Sequence, residues 1–161
     1  MKTDSAGTSN IASWNVADAT NIGHQTYRGS SGVWYVNEDT LRIVGKVLQS
    51  LSVVKDRSIL KQVWDLLSVI GDFLGQLKAT GYDLKNLPIL VGGIMEDGTF
   101  LIEWLSKTSR IGFVIEKDQK ESMWYSISKS VTLDSTLSGG LSNKEKSEIL
   151  KLLVNFLNSV S

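Results

Sequence analysis

The stretch ILVGGIMEDGTFLIEWLSKTSRIGFVIEKDQKESMWYSIS, from Ile89 to Ser128, decides the fold. Apolar residues alternate along it at a period of two, the spacing of a strand with one buried face. Four runs read as strands: Ile89–Met95, Thr99–Leu105, Arg110–Glu116 and Ser122–Ser128. Asp97-Gly98 lies between the first two and is a dipeptide favoured in two-residue type I′ hairpins. The other two connections are four and five polar residues long. Connections this short leave only antiparallel neighbours, and the result is a meander.

Closing these turns predicts a register. Met95 faces Phe100, and Val91 faces Trp104. Trp104, Ile102 and Phe100 face Ile111, Phe113 and Ile115, which in turn face Ile127, Tyr125 and Met123. Large apolar side chains then share one face. The other face carries Ile94, Leu101, Val114 and Trp124 in one row, beside Gly92, Glu103, Gly112 and Ser126. A solvated face would be mainly polar, so this row is expected to be covered. The C-terminal helix is the expected cover, and the N-terminal arm, a partner protein or a second copy are the alternatives.

Helical signals flank the meander. Asn37-Glu38-Asp39-Thr40 offers capping side chains ahead of Leu41–Leu48. A second helix starts near Asp56 or Ser58 and stops at Gly81, with Ile59, Val63, Leu66, Ile70, Phe73, Leu74 and Leu77 as its apolar stripe. Pro88 separates it from the strands. After a loop at Ser138-Gly139-Gly140, Ser142 and Glu145 stand at capping-box spacing before a last helix with Ile149, Leu152, Leu153, Phe156 and Leu157 as its apolar face. The expected class is α+β: N-terminal helices, a four-stranded antiparallel β-meander and a C-terminal helix, forming one domain over residues 37–161.

Residues 1–36 differ in composition. They are rich in Ser, Thr, Asn, Gly and Ala, with no period of two or 3.6, and read as a flexible or irregular arm. Trp14, Tyr27, Trp34 and Tyr35 keep the arm from being an inert linker. Aromatics are costly to leave in water and are favoured anchors at interfaces. With Ile94, Leu101, Val114 and Trp124 they are the candidate interaction residues.

Composition bounds the partner. Lys+Arg and Asp+Glu both number 17, so neither charge sign is favoured. No basic patch points to phosphate contacts, and a nucleic-acid partner is not expected. The chain has no cysteine, which removes disulfides, thiolate metal sites and a cysteine nucleophile. No stretch is apolar enough to span a bilayer and the N-terminus has no signal-peptide core, so a cytoplasmic protein without a membrane partner is expected.

Chemistry is sparse. His24 is the one histidine and has no Cys, Asp or Glu at ligand spacing. No G-x-S-x-G elbow, Walker A loop or G-x-G-x-x-G is present. Asp97 with Asp118-Gln119-Lys120 matches on paper the D…[D/E]-x-K arrangement of metal-dependent nucleases. That chemistry needs acids fixed on adjacent strands, whereas these two fall in turns. No catalytic residue, metal ligand or cofactor is therefore assigned. The carboxylates Asp97, Glu103, Glu116 and Asp118 keep a small metal-dependent hydrolase or nuclease as the alternative function.

The run Asp97 to Trp104, then Arg110 to Glu116, then Trp124-Tyr125-Ser126, resembles a pattern in small uncharacterised bacterial proteins. In these a helix precedes an aromatic-rich hairpin and strand, and some are encoded near toxin–antitoxin or defence genes. The resemblance covers about residues 57–128 and implies no catalytic residue. The expected function is a non-catalytic, intracellular protein-interaction or regulatory module, whose partner is another protein or further copies of itself.

Overall fold

A computed structural model of the chain describes residues 24–29, 32–129, 134–142 and 144–160, with side chains from Asn37 onward. Capping begins the helices where the sequence places them. The Asn37 side-chain oxygen accepts from the Thr40 backbone N–H at 2.9 Å, opening α1, Glu38–Ser50. Asp56 accepts from the N–H groups of Ser58 and Ile59 at 2.9 and 3.1 Å and opens α2, Arg57–Ala79. At its far end Gly81 has φ +87°, a left-handed conformation that glycine adopts without strain. Tyr82 N–H donates to the Leu77 carbonyl and Gly81 N–H to that of Lys78, the paired bonds of a Schellman motif.

The last helix, α3, spans Lys146–Val160 and begins later than its expected cap. Leu141 still donates to the Ser122 carbonyl at 2.9 Å, and a turn back to Leu141 from Lys144 follows. Ser142 is thus too early to cap. Glu148 takes the role instead, accepting the Glu145 N–H at 3.0 Å.

The main sheet is α+β in its setting but has five strands, not four. In spatial order these are β3 (Leu90–Ile94), β4 (Phe100–Leu105), β5 (Ser109–Ile115), β6 (Met123–Ser128) and β7 (Ser135–Gly140), all antiparallel. The stretch read as a Gly/Ser loop is the end of β7, which pairs with the whole of β6. Leu137 is its one large apolar residue, so it shows no alternation to reveal it. Within the segment read as an arm, β1 (His24–Gly29) and β2 (Gly32–Asn37) pair as a separate antiparallel hairpin that approaches α1 and α2.

Two of the three predicted hairpin registers are off by one residue. The central one, β4–β5, is as expected: Ile102 faces Phe113, and Trp104 faces Ile111. In the first hairpin Gly98 alone has positive φ, so the turn is not type I′. Gly98 N–H donates to the Met95 carbonyl, and Met95 N–H to that of Thr99. This is a three-residue loop of a type I turn closed by a glycine bulge. It sets Ile94 against Phe100 and Leu90 against Trp104, one residue from the expected pairs.

In the third hairpin the Ser122 hydroxyl accepts the Glu116 N–H at 2.9 Å. A short 3-10 turn at Gln119–Glu121 adds its own bonds, with Asp118 capping it. Val114 then faces Met123, and Phe113 faces Trp124. Because side chains alternate, each slip turns a whole strand over. Trp124 moves to the helix side of the sheet and is 8% exposed, while Met123, Tyr125 and Ile127 move to the other side.

The core lies between the sheet and the three helices. Trp64, Phe100, Trp104 and Phe113 are among its fully buried side chains. The expected placement of the C-terminal helix is also reversed: Phe156 of α3 stacks on Trp104 at 5.5 Å, on the core side. Trp104 itself donates to the Pro88 carbonyl at 2.7 Å. On α1, Val47 comes close to Gly92, where a Cβ would lie 3.2 Å from it and 2.7 Å from the Leu101 carbonyl. Glycine here permits the helix to approach β3 directly.

Candidate functional site

The sheet face opposite the helices is the candidate site. Register and alternation put Val91, Leu101, Leu105, Val114, Met123 and Ile127 on it. Most are half-buried, and Met123 is 37% exposed. An apolar surface of this kind is held up by a core on its other side, so it keeps its shape without being part of the interior.

Three polar residues sit among these apolar ones. Val91, Glu103, Gly112 and Tyr125 lie in one row across four strands, with Arg110 two positions before Gly112 on β5. The Tyr125 hydroxyl donates to Glu103 Oε1, and Arg110 Nη1 lies 3.5 Å from the same oxygen. Gly112 makes room for this. A Cβ there would fall 2.2 Å from Tyr125 Cζ, so the ring lies directly over the glycine. Burial, followed by the hydrogen bond and negative charge of Glu103, raises the Tyr125 pKa above the ordinary tyrosine value. Tyr125 is therefore a fixed donor to Glu103 at neutral pH and not a nucleophile. Arg110 remains half exposed, its guanidinium at the rim.

The face ends at the β4–β5 turn in an open cavity of about 250 Å³, lined by Leu105, Ser106, Lys107, Arg110, Ile127 and Lys129, among others. Its apolar floor thus has three cationic side chains around it. Ser106, Ser109 and Ser159 link their hydroxyls at 2.8 and 2.6 Å nearby. No imidazole or carboxylate adjoins this chain in the hydrogen bonds of the described residues. It fastens α3 to the turn.

Of the predicted interaction residues, Leu101 and Val114 face each other here as expected. Ile94 and Trp124 do not join them. Ile94 stands at the end of β3 on the helix side, 47% exposed, and Trp124 is buried there beneath Lys144, whose Nζ is 5.3 Å from the ring centre. Tyr27 is directly opposite Trp34, and Thr26 is opposite Tyr35, in the β1–β2 backbone pairing. Trp14 lies outside the described residues. Met123, Tyr125 and Ile127 were missed as open-face residues because of the register slip. A glycine facing a tyrosine, beside a glutamate in an apolar strand, was the available signal.

The carboxylates of the alternative reading do not gather at one site: Asp97 and Glu116 line one open cavity, while Glu103 lies on the open face of the sheet. Asp97 Oδ1 accepts from both the N–H and the hydroxyl of Thr99, at 3.0 and 2.7 Å, and these bonds lower its pKa. Asp118 Oδ1 accepts the Lys120 N–H at 2.9 Å. Both are spent on their own turns. Among the described residues no group of three or more His, Asp or Glu side chains is placed to hold a metal ion, and no helix is long and apolar enough to cross a membrane. Compared with family models, curated proteins and solved structures, the chain matches none.

Proposed function

We propose that the chain is a non-catalytic protein-interaction or regulatory module that docks another protein on the open face of its sheet. The observation that carries this reading is the apolar face built on the β4–β5 pair, with Tyr125 held on Glu103 within it and Arg110 beside them at the rim. Apolar area supplies affinity, and a few fixed polar groups supply orientation. Lys107, Arg110 and Lys129 stand around the cavity at one end of the face. The fitting partner therefore presents an apolar stretch followed by an acidic group. The resemblance to proteins encoded near toxin–antitoxin or defence genes is in keeping with a regulatory partner of this kind.

Leu101→Asp tests the reading. The side chain is half-buried on the open face, away from the helices. The variant is expected to keep its melting midpoint within a few degrees while losing the protein captured by the wild-type chain. Arg110→Glu should weaken the same capture, and added salt should weaken it for the wild type. Capture unchanged by Leu101→Asp would place binding elsewhere. The metal-dependent hydrolase reading is tested separately, since Mg²⁺, Mn²⁺ or Zn²⁺ binding to the native state must raise the melting midpoint.

A further inference from the structure

The two edges of the five-stranded sheet differ. In the β3–β4 ladder Met95 donates to the Thr99 carbonyl, so Met95, Gly93 and Val91 use their backbone groups inward, and Gly92 points its own outward. That edge is guarded: the Ser50 hydroxyl at the end of α1 donates to the Gly92 carbonyl at 2.8 Å. In the β6–β7 ladder Leu141 donates to the Ser122 carbonyl, so Gly139, Leu137 and Ser135 bond inward. Thr136, Ser138 and Gly140 therefore turn their N–H and C=O groups outward. No strand among the described residues lies on that side.

Among the described residues the β7 edge has none of the usual guards. Ser135-Thr136-Leu137-Ser138-Gly139-Gly140 contains no charge and no proline, and no helix is packed along it in the described residues. Leu137 is 62% exposed, the side chain of a strand that lacks a neighbour.

We propose that β7 pairs antiparallel with β7 of a second copy about a two-fold axis through Ser138. This register sets Ser138 against its own mate and Thr136 against the partner copy's Gly140. All three outward residues of each copy are then in hydrogen-bonded pairs, each exchanging two bonds. The intervening pair sets Leu137 against the partner copy's Gly139, a non-hydrogen-bonded pair in which side chains come closest.

Gly139 is where that leucine fits. Trp124 leans over it so closely that a Cβ would lie 2.9 Å from Nε1. The incoming Leu137 thus continues the row Ile102, Phe113, Trp124, Gly139 on the helix side of the sheet. The axis stands perpendicular to the sheet, so the two open faces lie on the same side and join into one platform. The contact is self-complementary, and a chain with equal numbers of acidic and basic residues carries little repulsion against it.

The test is sedimentation of the full chain across a concentration series into the high micromolar range, with Ser138→Pro and Leu137→Lys alongside. Proline at Ser138 removes only an outward N–H and leaves the β6–β7 ladder whole. Lysine at Leu137 places two like charges about the axis and needs no backbone change. The wild type is expected to dimerise reversibly, and both variants to remain folded monomers. Dimerisation should also bury Trp124 further and shift its emission with concentration. If Ser138→Pro does not fold, Leu137→Lys decides. A wild type that stays monomeric throughout, or a folded variant that dimerises as tightly as wild type, overturns the proposal. Leu101→Asp should leave this dimer intact, so failure here and failure of the open-face reading are separate results.

Discussion

The central hairpin β4–β5 and the strands beside it, β3 and β6, were written by the same alternation, yet only the hairpin could be read correctly. In β4 and β5 the bulk lies at one parity: Phe100, Ile102 and Trp104 oppose Ile115, Phe113 and Ile111, and all six are buried. The other parity holds Glu103, Arg110 and Gly112, so a slip would bury charge. In β3 and β6 both parities are apolar: Leu90 and Ile94 compete with Val91, and Trp124 competes with Met123, Tyr125 and Ile127. Alternation cannot choose a phase there. The choice falls to the turns, and each is set by one side chain.

The largest expected effect tests the contrast directly. Phe113→Ala, at the fully buried centre of the hairpin, should cost about 3–5 kcal/mol, while Met123→Ala on the open face should cost less than about 1 kcal/mol. Chemical denaturation of both variants checks this. Similar losses at the two positions would erase the distinction between the faces.

The unread parts of the site follow from the same cause. Leu101, Val114, Glu103 and Gly112 were legible as open-face residues because they belong to the hairpin whose phase was fixed. Alternation alone puts Trp124 on the open face and Tyr125 in the core, whereas one hydrogen bond from the Glu116 N–H to the Ser122 hydroxyl shifts β6 by a residue. Asp97 does the same for β3 by holding Thr99 and leaving Gly98 as the only left-handed residue of its turn. Strand β7 has no hydrophobic pattern and is extended only because β6 pairs with it. Pairing is a property of two segments, and a single-segment reading does not contain it.

A middle-sized effect sharpens the placing of Tyr125. Gly112 and Gly93 are both open-face glycines, but a Cβ at Gly112 collides with the Tyr125 ring, whereas one at Gly93 meets nothing within 4 Å. Gly112→Ala should cost about 1–3 kcal/mol through displacement of the ring. Gly93→Ala should be neutral or slightly stabilising. Equal behaviour of the two would mean that Tyr125 does not lie over Gly112.

The smallest effect is a pH dependence. The folded-state pKa of Tyr125 is raised above its unfolded value, near 10. Its contribution to stability is therefore complete below about pH 10 and is lost as pH rises through the folded value. The gap in melting midpoint between wild type and Tyr125→Phe should be steady near neutrality and close in the alkaline range. A gap that persists unchanged at high pH would place the hydroxyl away from Glu103.

The phase of β6 carries both the open face and the edge of the sheet, and backbone NOEs read it most directly. Lys129 N–H donates to the Thr108 carbonyl, which puts Phe113–Trp124 and Ile111–Ser126 among the non-hydrogen-bonded pairs of β5 and β6. In such pairs the Cα atoms approach to about 4.5 Å and the two Hα protons give strong cross-strand NOEs. Strong Hα–Hα NOEs between Phe113 and Trp124 and between Ile111 and Ser126 are the predicted result. NOEs from Phe113 to Tyr125 and from Ile111 to Ile127 would contradict it, returning Tyr125 to the core and Trp124 to the open face.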